Sequence, residues 1–313
     1  MGICRWLKKL SGQIVLQENG VDVPTVNEVA PEPPPPIVIV KPKIFDKGLS
    51  PDKVTSDYGL RLLVDSQAKY DELMKDSNGW LRFQNHGGLW LKNIPKVRIN
   101  RLDAENCWVM LIDNCADVVI DNYEGHRLKV GPQLNGSGVV NFGKVLSTYN
   151  YRPYQTGQPQ GDGIIVNSRS ITCNIKKLDT EGNGDCGLDW KGNGVVDEFY
   201  STGDGNPIKA WGNLTVKQFY IKDSGRIHNT RGEGAQSRAE GENAKLILGS
   251  GTIDNCLKPE QSIKASVVTS GKTAITEITG QVKVIRPSGY TGNIFMTVNN
   301  GSQIIGKDKV TIV

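Results

Sequence analysis

One short phrase returns down the chain at a nearly constant step, and such a step restricts the fold more than any other feature of the sequence. KVRINRLDAEN, DVVIDNYEG, SITCNIKKLD, VVDEFYSTGD and LTVKQFYIKD each alternate apolar and polar residues and end in a turn. Their first apolar anchors are Val97, Val118, Ile171, Val195 and Leu214, with a weaker match at Val139, so the steps are 21, 21, 32, 24 and 19 residues. Alternation gives every phrase the form of a strand with one buried face. One such strand cannot bury that face alone, whereas parallel coils that each add about the same length of chain can stack to do so. The expectation is an all-β right-handed parallel β-helix over residues 80–260.

Composition agrees with many short strands: 36 Gly and only 4 Met among 313 residues, with Val/Ile runs cut by Asn, Asp and Gly. The formal charge is +4 and no basic run is interleaved with aromatics, which excludes nucleic acid as a partner. Six cysteines lie scattered without a CxxC pair, which argues against a zinc site or a redox dithiol and leaves them as buried thiols. No stretch reaches the roughly 18 apolar residues of a membrane span. The amino end lacks the apolar core of about 7 to 15 residues that a secretory signal uses.

The flanks divide by character. In MGICRWLKKLSG, residues Ile3, Trp6, Leu7 and Leu10 share a helical face beside Arg5, Lys8 and Lys9, so residues 1–28 read as an amphipathic docking arm. VAPEPPPPIVIVKP follows, and its prolines favour a stiff polyproline spacer over residues 29–49. Residues 50–79, with a helix start at SPDKV, read as a helical cap on the open end of the coil stack. Residues 261–313 form a small C-terminal β-region of further strands, either the last coils or a terminal β-domain.

The recurring coil resembles the pectin-lyase-like β-helix superfamily, which holds polysaccharide lyases, glycosidases and bacteriophage tailspikes. Two steps overshoot the repeat, and a coil that overshoots pushes its surplus out as a loop, where binding residues collect. The loop Ser147 to Gln160 carries Tyr149, Tyr151 and Tyr154 beside Arg152; the loop between Leu214 and Leu246 carries Arg226 and His228. Aromatic faces suit sugar rings and arginines suit sugar carboxylates, so these are expected glycan-binding residues.

GDCGLDWKGNG, from Gly184 to Gly194, lies between GDGIIVNS and GDGNPIKAWGN, so a Gly-Asp pair recurs at 161, 184 and 203. With coils about 4.8 Å apart, Asp162, Asp185 and Asp204 are expected to form a column of carboxylates. Leu188 and Ile208 then point inward, Asp189 stands outward over Lys209, and Lys191 stands outward over Trp211, adding those two to the glycan-binding set. This face resembles the family-nine pectate lyases. The resemblance implies calcium held by Asp162, Asp185 and Asp189, with Lys209 as the base and Lys209 and Asp189 as the catalytic candidates. The sequence departs from that pattern at Cys186, where the family has another aspartate, and its lysine arrives about a coil early. A two-carboxylate glycosidase and a simple structural turn remain open beside it.

The function expected is a tailspike-like virion protein that docks to a virion structural protein through residues 1–12 and binds, or also cleaves, a bacterial-surface or acidic polysaccharide. A homotrimer is an open assembly. A calcium-dependent lyase and a non-catalytic structural β-helix are the alternatives. Localisation is expected in the virion, with a cytoplasmic or membrane-surface setting as the alternative.

Overall fold

The structure, a computed structural model, describes residues 41–50, 60–150, 161–225, 235–237, 243–254, 256, 265–286, 288 and 293–313, all within one compact unit, Val40–Val313. The expected docking arm, most of the proline spacer, and the side chains of Tyr151, Arg152, Tyr154, Arg226 and His228 lie outside these residues.

The described chain is mostly strand, and every strand pairing among the described residues is parallel. The pairings form three ladders. Ladder A takes Leu62–Val64, then 88–92 and 107–113, then Gln133–Asn135, Ile164–Val166, Cys186–Trp190 and Asn206–Ala210, and continues to Phe295–Thr297. Ladder B runs through 96–99, 117–120 and 139–142 and then the first halves of Ile171–Glu181, Asn193–Thr202, Asn213–Lys222 and Lys245–Asp254. Ladder C starts at Lys43–Asp46 and uses 80–84, 101–105, 122–126 and 144–148 and the second halves of those later strands. One strand from each ladder makes a coil. The pattern is compatible with a parallel β-helix.

Inside the coils the alternation read from the sequence fills one continuous core, with Leu81, Ile99, Ile120, Phe142, Ile175, Val196, Val216 and Leu248 all buried. The register differs from the sequence expectation in three places. Ladder B aligns Val97, Val118, Val140, Cys173, Gly194 and Leu214, so Val139, Ile171 and Val195 are not the equivalent positions. Val139 is 43% exposed while Val140 is 2% exposed. Two of the three displaced residues, Val139 and Val195, directly follow a glycine. Gly138 and Gly194 adopt φ of 133° and 150°, where a Cβ would meet the Cys115 and Cys173 carbonyl oxygens at 1.9 and 1.7 Å.

The ends also differ from expectation. Lys43–Asp46, assigned to the spacer, pairs with 81–84, and Leu62–Val64 pairs with 89–91, so the stack begins before residue 80. The one α-helix among the described residues is Gln67–Met74, capped by the Ser66 hydroxyl, which accepts the Lys69 N–H at 3.3 Å. It buries Tyr70 and Leu73. The Tyr70 hydroxyl donates to the Arg98 carbonyl at 2.6 Å and accepts the Arg98 N–H at 2.8 Å, which ties the helix to ladder B. The C-terminal strands extend the same three ladders, which decides for last coils over a separate domain.

The corner from ladder C to ladder A is built from one residue per coil in the left-handed region. Asn85, Asn106, Arg127, Tyr149, Gly182, Gly203 and Asp223 all have φ between 48° and 68°. Asn, Asp and Gly suit that conformation, whereas Arg127 and Tyr149 hold it at a cost of roughly 1 to 2 kcal/mol each.

Candidate functional site

Outward positions of ladder A stack Trp90, Leu111, Gln133, Ile165, Asp189 and Lys209 in register. Trp90, Leu111 and Ile165 join Trp108, Val109 and Val130 in a second apolar cluster outside the coil. Asp189 and Lys209 therefore enter a column whose earlier members are largely apolar, and charges there are poorly solvated. The expected stacking of Asp189 on Lys209 is present, with Leu188 and Ile208 fully buried on the other face.

The column of Gly-Asp carboxylates is not present as expected. Register places Ile164, Leu188 and Ile208 level, so Asp162 is level with Cys186 and Asn206, while Asp185 is level with Gly161 and Gly205. The turns differ by one residue from coil to coil, and one residue moves a side chain to the other face. Asp204 consequently points into the stack. Its carboxylate accepts from the Thr180 hydroxyl at 2.5 Å, the Ser201 hydroxyl at 2.6 Å, and the Asn183 backbone and side-chain N–H at 2.9 and 2.8 Å.

That contact belongs to an inner ladder missed in the sequence. Ser147 and Asn150, Thr180 and Asn183, and Ser201 and Asp204 repeat a Ser/Thr-x-x-Asn/Asp spacing on successive coils, all buried. The Asn150 side chain accepts the Leu128 N–H at 3.0 Å, and the Asn183 side chain accepts the Asn150 N–H at 3.1 Å. The Asn150 amide also donates to the Asp162 carbonyl at 2.9 Å, which anchors the backbone of the first acid of the site.

Asp162, Asp185, Asp189 and Lys209 are brought together as the sequence suggested. Lys209 Nζ lies 3.3 and 3.2 Å from the two Asp185 oxygens, and its side chain is only 11% exposed. Asp162 accepts the Cys186 N–H at 3.1 Å, and oxygens of Asp162 and Asp185 and the Cys186 sulfur lie within 4.8 Å of one another. Burial drives the Asp162 carboxyl well above the usual carboxylate range, with Asp185 and Asp189 adding to the rise and Lys209 opposing it. Burial also raises Asp189, against Lys209, Lys191 and Trp211. For Lys209, burial works against the charge, but the neighbouring acids, Asp185 foremost among them, outweigh it and hold its pKa above that of an ordinary lysine. Lys209 is thus an ammonium, a cation seated among the carboxylates where the lyase resemblance implies calcium.

Cys186, by contrast, is pushed far up by burial and is a neutral thiol, a poor metal ligand. Lys191 turns to Asn167 at 2.6 Å. No family model, no curated protein and no solved structure matches this chain.

Tyr149, the described member of the tyrosine loop, stands on the ladder C to ladder A corner and not with the acids. Its hydroxyl donates to Glu181, and it lines a cavity of about 760 Å³ with Glu105, His126, Arg127 and Thr148. Those neighbours were not singled out in the sequence. The signal available was the left-handed corner position itself, which two bulky residues occupy.

Proposed function

We propose that the protein is a right-handed, pectin-lyase-like β-helix that binds a polysaccharide and hydrolyses it at the Asp162, Asp185, Asp189 and Lys209 cluster. The observation that carries this reading is a pair of acids in unlike environments: Asp162 is buried and favours its proton, while Asp185 is ion-paired to Lys209 within 4.8 Å of it. Glycoside hydrolysis uses such a pair, one carboxyl to protonate the leaving oxygen and one carboxylate to act on the sugar carbon. Close approach favours the retaining route, for which the separation is about 5 to 5.5 Å. Asp162 would give its proton to the departing sugar oxygen and Asp185 would bond the anomeric carbon; Asp162 would then deprotonate the water that releases the sugar. Lys209 orients Asp185, and Asp189 stands next to Lys209 in register.

Elimination at Lys209 is the poorer fit, since a general base has to be unprotonated. The setting proposed is a tailspike-like virion protein, supported by the amphipathic residues 1–12 and the proline spacer after them. The test is to incubate the pure protein with a panel of bacterial-surface polysaccharides while following new reducing ends and unsaturated-product absorbance. Reducing ends without that absorbance, lost in Asp185→Asn, are expected. Unsaturated products abolished by chelator would transfer the reading to the calcium-dependent lyase, and intact polymer throughout would leave a non-catalytic binder.

A further inference from the structure

The corner cavity around Tyr149 holds features that the fold does not require. Five of the seven left-handed corner positions carry Asn, Asp or Gly, the residues that conformation favours; the other two carry Arg127 and Tyr149, at φ of 52° and 55°. Both of these line the same cavity of about 760 Å³. Residues held in such conformations cluster at active sites and ligand clamps. Tyr149 is 50% exposed, with its hydroxyl tied to Glu181, so a half-exposed ring is held in place at its tip.

The polar groups around it are fixed in the same manner. Arg127 is ion-paired to Glu105, which also takes Arg82 at 3.5 Å. The His126 ring is locked between Thr148 Oγ1 at 2.7 Å and Glu124 at 2.9 Å, and Glu124 is bound in turn by Arg101 at 3.0 Å. Every guanidinium here therefore already has a carboxylate. Glu181 has only the Tyr149 phenol and no cation among the described residues.

We propose that this corner is a sugar-binding subsite for an uncharged hexose ring, stacked on Tyr149 with its hydroxyls donating to Glu181 and accepting from Arg127. A flat aromatic face with a fixed tip matches the apolar face of a pyranose. A carboxylate accepts two neighbouring hydroxyls as a bidentate acceptor. Glu181 has no cation partner among the described residues, and the described guanidiniums of Arg82, Arg101 and Arg127 are each engaged by a carboxylate, so the described lining favours a neutral ring over a uronate. The proposal rests on the polysaccharide reading and deepens it by naming the unit held at this place, on the corner that leads into the acid cluster, where Asn150 bonds the Asp162 carbonyl.

The test titrates the full chain with neutral hexose hexasaccharides of gluco, galacto and manno type, and with a hexuronate, by calorimetry. At least one neutral oligomer is expected to bind, with the uronate about tenfold weaker or worse. Tyr149→Asn is the decisive variant, because Asn suits the left-handed position: it should weaken binding about tenfold while raising Tm by about 2 to 4 °C. Uronate preference, no binding by any neutral oligomer, or wild-type affinity in Tyr149→Asn each overturns the proposal. Binding is read without cleavage, so a protein that binds through Tyr149 but cuts nothing loses only the hydrolase reading, and one that cuts without Tyr149 loses only this one.

Discussion

At the scale of single residues, the cluster on ladder A sets a cost against a use. Asp162 holds its proton more tightly in the folded chain than in the unfolded one, so its own contribution to folding stability is fully present in acid and declines as pH rises above the unfolded value near 3.8. Asp162→Asn keeps an acceptor for the Cys186 N–H and removes that decline. It should raise Tm at pH 7 by about 3 °C and abolish cleavage, a pairing expected of a retained functional acid; a lower Tm at pH 7 would count against it. Lys209→Ala has the opposite sign, since it leaves three acids without their cation, and should cost about 3 kcal/mol by urea unfolding. Chelator should leave the Tm of the natural chain unchanged, because the ammonium already sits among the carboxylates. In Lys209→Ala, added calcium should recover part of the loss, and failure to do so would show that the acids do not converge on one cation position. The stacking of Asp189 on Lys209 was legible in the sequence through alternation, whereas Asp162 and Asp185 were gathered there only by the lyase resemblance. The charge state of Lys209 was not legible, because it depends on how deeply neighbouring coils and the outer apolar cluster desolvate it.

At the scale of elements, the period was legible and the register was not. Alternating strands announce a coil, but alternation alone does not say which apolar residue is level with its neighbours, and Val139 and Val195 each follow a glycine that packs against a carbonyl. A shift of one residue exchanges the faces of a strand, which separates Val139 from Val140 and sends Asp204 inward. Charge substitution reads the register directly. Val139→Lys should change stability by less than about 0.5 kcal/mol, whereas Val140→Lys should cost more than about 3 kcal/mol, both measured by urea unfolding. Equal effects at the two positions would restore the register expected from the sequence. The inner Ser/Thr-x-x-Asn/Asp ladder escaped notice because each member looks like ordinary turn chemistry. Its meaning appears only when Asn150, Asn183 and Asp204 are stacked and each accepts a backbone N–H from the coil before.

At the scale of the whole molecule, the three ladders make stability a matter of neighbours. A strand in the middle of the stack has a partner above and below on its ladder, as Asn193–Thr202 has in Ile171–Glu181 and Asn213–Lys222. The strands Gln303–Ile305 and Val310–Ile312 pair on one side only among the described residues, and they leave Ile305 and Ile312 nearly half exposed, at 48% and 46%. At the other edge Lys43–Asp46 pairs once and exposes Ile44. In a stack held by nearest-neighbour contacts, opening begins at such edges and moves inward, because each lost coil costs one interface and frees the next. Amide exchange should therefore be slowest in 171–181, 193–202 and 213–222 and fastest in 43–46 and 303–312, with protection falling in steps between them. The acid cluster lies on coils of the protected middle, which fits a site that must hold two carboxyls at fixed separation. The same protection across every coil would mean that the stack opens as one unit, and the neighbour account of its stability would fail with it.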